Sequence, residues 1–139
     1  MKNLILILCL SSMFSCSKVQ EKTNTNTTSK EFGLNKEWNG TYHAEAINRD
    51  NAKTAFDIII KSLDNISVNI NEDGNKESYS NIKAEIINKD KIKIIYNSSF
   101  ENGMGTIFIE KSDDQFYISG NPIYFINPGN NEMPLTKLQ

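Results

Sequence analysis

The sequence predicts an all-β domain of about eight antiparallel strands in an up-and-down barrel, with an open β-sandwich as the alternative. Three observations carry that reading. Apolar residues recur at every second position in a series of short runs. β-branched and aromatic side chains dominate those runs. Turn-forming residues separate them at short intervals, and no stretch keeps a helical period over three turns.

In chain order, Glu37-Trp38-Asn39-Gly40-Thr41-Tyr42 opens the first strand. Phe56, Ile58 and Ile60 then alternate with Asp57, Ile59 and Lys61, and Ile66, Val68 and Ile70 alternate with Ser67, Asn69 and Asn71. Asp64-Asn65 is the tight connection between them, and Asn71 to Asn75 reads as a hairpin loop. Ile82, Ala84 and Ile86 form the next run, followed after Lys89-Asp90 by Ile92, Ile94 and Tyr96. Beyond Glu101-Asn102-Gly103 come Gly105, Ile107 and Ile109; beyond Ser112-Asp113-Asp114 come Phe116 and Ile118. Ile123 and Phe125 read as another short strand, and Pro134 to Leu138 as the strand that closes the barrel beside the first. Closure is favoured because it leaves no unpaired edge.

The segment in front of this domain has a different character. Residues 1–15 join a cationic start at Lys2 to an apolar run from Leu4 to Leu10, too short to span a bilayer, which takes about 20 apolar residues. Met13-Phe14-Ser15-Cys16 follows, and it resembles the lipobox of bacterial lipoproteins. The resemblance implies cleavage before Cys16, lipid on its thiol, and a place in the bacterial cell envelope, with the outer membrane as the expected surface. Two or three acyl chains would hold such a protein durably, at about 0.8 kcal/mol per buried methylene. Residues 16–36 are then the lipid anchor and a flexible polar tether centred on Thr23 to Ser29, and residues 37–139 are the barrel domain.

Composition narrows the function classes. Loss of Lys2 from the 15 basic residues leaves 14 against 17 acidic ones, a weak acidic excess without the cationic footprint that nucleic acid requires. Cys9 departs with the signal and Cys16 carries lipid, so the domain must hold by burial without a disulfide. No catalytic residue, metal set or cofactor is expected. The one histidine, His43, is out of phase with Trp38 and Tyr42 and so faces solvent. Glu72-Asp73-Gly74 lacks the alternating acids of a calcium loop and reads as a solvated hairpin.

The first-strand segment Trp38-Asn39-Gly40-Thr41-Tyr42 resembles the opening signature of lipocalin-like and fatty-acid-binding barrels, in which an aromatic plugs one end and a glycine permits a sharp bend. Ligand binding is then assigned to Trp38, Tyr42, Phe56, Tyr96 and Phe125, aromatics that either line a cavity or fill the barrel. Two functions follow as expectations. One is a membrane-anchored, non-enzymatic binding module for a small apolar ligand. The other is a protein-binding lipoprotein of the inhibitor or immunity type, because small barrel lipoproteins that inhibit lysozyme carry a loop similar to Ser119-Gly120-Asn121-Pro122-Ile123-Tyr124.

Overall fold

The computed structural model describes residues 36–98 and 104–138. The signal segment, the lipid site at Cys16, nearly all of the tether and the Glu101-Asn102-Gly103 turn lie outside the described residues. Nine strands form one nearly closed, barrel-shaped sheet: β1 (Gly40–Ile47), β2 (Lys53–Ser62), β3 (Asn65–Glu72), β4 (Asn75–Ile82), β5 (Ala84–Asn88), β6 (Lys91–Ile95), β7 (Thr106–Ser112), β8 (Gln115–Gly120) and β9 (Glu132–Leu138). A six-residue helix, α1 (Asn121–Ile126), lies between β8 and β9.

The order around the sheet is β4-β3-β2-β1-β9-β8-β7-β6-β5, every pairing antiparallel. Strands consecutive in sequence are therefore neighbours, and β9 returns to β1 through Thr41–Leu138 and His43–Thr136. The closing strand expected at Pro134 to Leu138 is there. β4 and β5 occupy the two ends of the order. An even number of antiparallel steps separates them, so they run in the same direction, and only Lys83 joins them. They act as one interrupted strand, whose first half pairs with β3 and whose second half passes to β6. The path round the barrel is thus that of eight strands.

The joint has local causes. Asn81 has φ 57°, and the register jumps from Val68–Tyr79 to Ile66–Ile82, a bulge that bends β4. The Ala84 amide then donates to the Leu63 carbonyl at 2.7 Å, tying the start of β5 to the β2–β3 turn. Ile82, Ala84 and Ile86 are accordingly not one strand: Ile82 ends β4 and Ala84 begins β5. The stretch from Asn75 to Ile82, for which the apolar pattern gives no strand before Ile82, is a full strand. It escaped the apolar pattern because Asn75, Lys76, Glu77, Ser78 and Ser80 are polar on both faces. Its turn is as expected, with Asp73 (φ 47°) and Gly74 (φ 93°) both left-handed, the geometry that Asp-Gly favours in a two-residue hairpin.

The second correction concerns Ile123 and Phe125, which lie in α1 and not in a strand. Gly120 ends β8 at φ 126°, where a Cβ would sit 2.3 Å from the Thr106 carbonyl oxygen, so only glycine makes this exit from the sheet. Pro122 in the first helical turn has no amide to leave unpaired there and fixes the helical φ. The alternation of strand residues elsewhere places Tyr42, Phe56, Ile58, Ile60, Ile66, Val68, Ile92, Ile94, Ile107, Ile109 and Ile118 inside, where all are buried.

Candidate functional site

The two ends of the barrel differ. At one end lie the start of β1, the β2–β3 turn, the β6 start and the end of β9; the chain enters here through Trp38. Trp38 is fully buried, with its ring 6.1 Å from Phe116 in edge contact, and Tyr42 lies 5.2 Å from the same ring. The Tyr42 hydroxyl donates to the Trp38 carbonyl at 2.7 Å. Burial, with the Glu37 charge adding to it, pushes that phenol well above its ordinary range. Lys137 stands over both the Tyr42 and Phe116 rings at 5.2 and 5.3 Å and donates to the Glu37 carbonyl, while Lys111 pairs with the Glu37 carboxylate. Trp38 and Tyr42 therefore belong to a packed plug. The Trp38 indole nitrogen is buried there without a hydrogen-bond partner among the described residues.

At the other end a cavity of about 520 Å³ opens. Phe56 and Ile70 form its floor from β2 and β3. Tyr96 and Met104 line it from the β6–β7 side, and Pro122, Phe125 and Ile126 cover it from α1. Its polar lining residues are Thr54, which is buried, together with Glu72, Asn75, Glu77 and Ser98. Phe125 is 71% exposed although it borders the cavity, so the ring sits where the cavity meets solvent. Three of the five aromatics assigned from sequence, Phe56, Tyr96 and Phe125, thus meet at one cavity, whereas Trp38 and Tyr42 do not reach it.

The interrupted strand explains why a cavity exists here. Where β4 faces the end of β6 without a ladder, the Tyr79 and Tyr96 rings meet at 4.8 Å and bridge the gap. The Tyr79 hydroxyl bonds to the Glu77 carboxylate, and the Tyr96 hydroxyl donates to the Met104 carbonyl at 3.0 Å. Burial raises the Tyr96 phenol well above its usual range, with Tyr79 and Glu77 adding to the shift. Sequence reasoning missed Ile70, Glu77, Met104, Pro122 and Ile126 as lining residues. The one signal that could have found Glu77 is the polar run of β4 itself, since an inward-facing polar residue in a barrel needs something other than core to face.

His43 lies outside both regions, on the outer face of β1. Its Nδ1 is 2.7 Å from Asp57 Oδ1 and its Nε2 is 3.5 Å from Glu45, which also holds Lys53 at 2.7 Å. The Asp57 hydrogen bond above all, with the two carboxylate charges, raises the imidazole pKa. Among the described residues there is no group of three or more His, Cys, Asp or Glu placed to hold a metal ion, and no helix is long and apolar enough to cross a membrane. No family model, curated protein or solved structure matches the chain.

Proposed function

We propose that this protein is a membrane-anchored binding module that takes a small, mainly apolar ligand into the open end of its barrel. The observation that carries the reading is the cavity itself. Its volume of about 520 Å³ lies within the roughly 300–1,000 Å³ of small-molecule sites, and its walls are mostly apolar with a few polar groups among them. A barrel built only to be stable would fill that space, because an eight-strand barrel is just wide enough for side chains to do so. The packed plug at the opposite end shows this chain doing so there. The anchor is proposed on the first sixteen residues alone: lipid on Cys16 would hold the module at the outer membrane.

The test uses the full chain with Cys16→Ser, so that no acyl group competes for the site. A neutral polarity-sensitive dye such as N-phenyl-1-naphthylamine should brighten on binding, and Ile70→Trp, which fills the floor, should abolish the effect. No brightening, or equal brightening of both proteins, would reject the reading. Labelling cells with a fatty-acid analogue tests the anchor separately. The wild type should be marked and Cys16→Ser should not.

The inhibitor reading has one observation in its favour. Tyr124, the last residue of the Ser119 to Tyr124 segment that resembles an inhibitory loop, is exposed on α1, as is Phe125 next to it. Ser119 and Gly120 end β8 and the rest of the segment is helical, and Pro122 within it and Phe125 beside it border the cavity, so this region also serves the ligand reading.

A further inference from the structure

From one buried hydroxyl on the cavity wall we infer the polar group of the ligand: a neutral oxygen, as in an alcohol or a ketone, that accepts a hydrogen bond from Thr54. The inference rests on the binding reading above and adds the head group to it. Thr54 lies on β2 in phase with Phe56, Ile58 and Ile60, so it faces the inside of the barrel, and it lines the cavity. It is 6% exposed and, tyrosines aside, is the one buried polar residue among the described residues. Its hydroxyl has no hydrogen-bond partner among the described residues. Nor is its oxygen sealed off: the unpaired side-chain atom that is fully enclosed is the Trp38 indole nitrogen, not Thr54 Oγ1. The space left to that oxygen is the cavity it lines.

Strand register gives the depth at which such a group would sit. Ala46, Thr54, Glu72 and Asn75 form one rung across β1 to β4, and Ala44, Phe56, Ile70 and Glu77 form the next rung inward. In the outer rung Glu72 and Asn75 are exposed, whereas Thr54 is buried. A ligand with its apolar body on Phe56 and Ile70 therefore brings its polar end level with Thr54. An unpaired buried hydroxyl costs free energy that valine, of nearly the same shape, would avoid, and the other inward residues of β2 are apolar. A ligand oxygen removes that cost, because a threonine hydroxyl donates equally well to an alcohol or a ketone. An ion drawn out of water needs an opposite charge or several hydrogen bonds, and one hydroxyl supplies neither.

Displacement of N-phenyl-1-naphthylamine from the full chain with Cys16→Ser tests this, using phenylbutanol, butylbenzene and phenylbutanoate at neutral pH, with the affinity of the dye measured for each protein. Adding Thr54→Val should weaken phenylbutanol binding about three- to ten-fold, the worth of one hydrogen bond. Butylbenzene, which has no oxygen, should bind both proteins equally, which also shows that the cavity survives. Thr54→Ser should keep most of the phenylbutanol affinity, and phenylbutanoate should bind more weakly than phenylbutanol whenever Thr54 is present. If Thr54→Val leaves phenylbutanol unaffected, weakens butylbenzene as much, or is matched by Thr54→Ser, Thr54 does not hold a ligand oxygen and the apolar site stands. Phenylbutanoate binding as tightly as phenylbutanol would overturn the neutral head group, and so would a dye that brightens but yields to none of the three. If the dye itself does not brighten, the binding reading falls and the inference falls with it.

Discussion

The closed and open ends of this barrel are built from the same kinds of residue and put them to opposite use. At the closed end Trp38, Tyr42 and Phe116 lock edge to face, a lysine covers them, and Glu37 ties that lysine and Lys111 in place. At the open end Phe56, Tyr96 and Phe125 surround empty space. The difference is not in side-chain chemistry. It lies in where the rings sit on the ladder: the plug rings Tyr42 and Phe116 are carried by β1 and β8, which β9 pairs with on both sides, whereas the cavity lies beside the stretch where β4 and β6 are not paired. A sheet whose hydrogen bonds are complete pulls its inner side chains into contact. Beside the gap, Phe56 and Tyr96 pack against the core on one side and border the cavity on the other, and the Tyr79 and Tyr96 rings span the gap.

The largest effect that would break this contrast is on stability. Trp38→Ala empties the plug and should cost about 3–5 kcal/mol, a large part of the roughly 5–15 kcal/mol that holds a domain of this size. A urea midpoint close to that of the wild type would show that the closed end is not the structural one. Trp38→Phe should cost less, since it also removes an indole N–H that is buried without a partner.

Phe125→Ala should behave in the opposite way. With most of the ring exposed, its loss should change stability by less than about 1 kcal/mol while weakening dye binding several-fold. A stability loss comparable to that of Trp38→Ala would mean that α1 is a second plug.

The smallest effect belongs to His43, outside both ends. Its pKa in the folded chain is raised above the unfolded value of about 6.5. The pair with Asp57 therefore contributes its full stabilisation below that value and loses it as pH rises through the raised one. Screening at this partly exposed site keeps the effect small. Between pH 5.5 and 9 the wild type should lose slightly more thermal stability than His43→Gln, and parallel profiles would remove the pair from the account.

Most of the barrel was legible because burial on one face writes itself as alternation: Phe56-Ile58-Ile60 and Ile107-Ile109 fall inside as read. β4 was not legible for the reason that makes it interesting. Asn75 and Glu77 border the cavity, and of the inward positions only Tyr79 packs against the core, so no apolar period marks the strand. α1 is under two turns long, and at that length Ile123 and Phe125, two apart, look like a strand. The aromatics could be listed from sequence but not sorted. Whether a ring fills or lines depends on which end of the barrel its register reaches and on a gap in a ladder, and neither is written in residue type.

The meander topology also has a consequence for how the chain comes together during synthesis. Every ladder but one links strands that follow directly in sequence, so β1–β4 and β5–β9 can each zip up from local hairpins as they appear. The exception joins Thr41 to Leu138, nearly the whole length of the domain apart. Until the last seven-residue strand has been made, the free edge of β1 has no partner, and an open edge is a template for pairing with another chain. Any holdase that escorts this protein would matter most in that interval, and the length of chain between β1 and β9 sets how long it lasts.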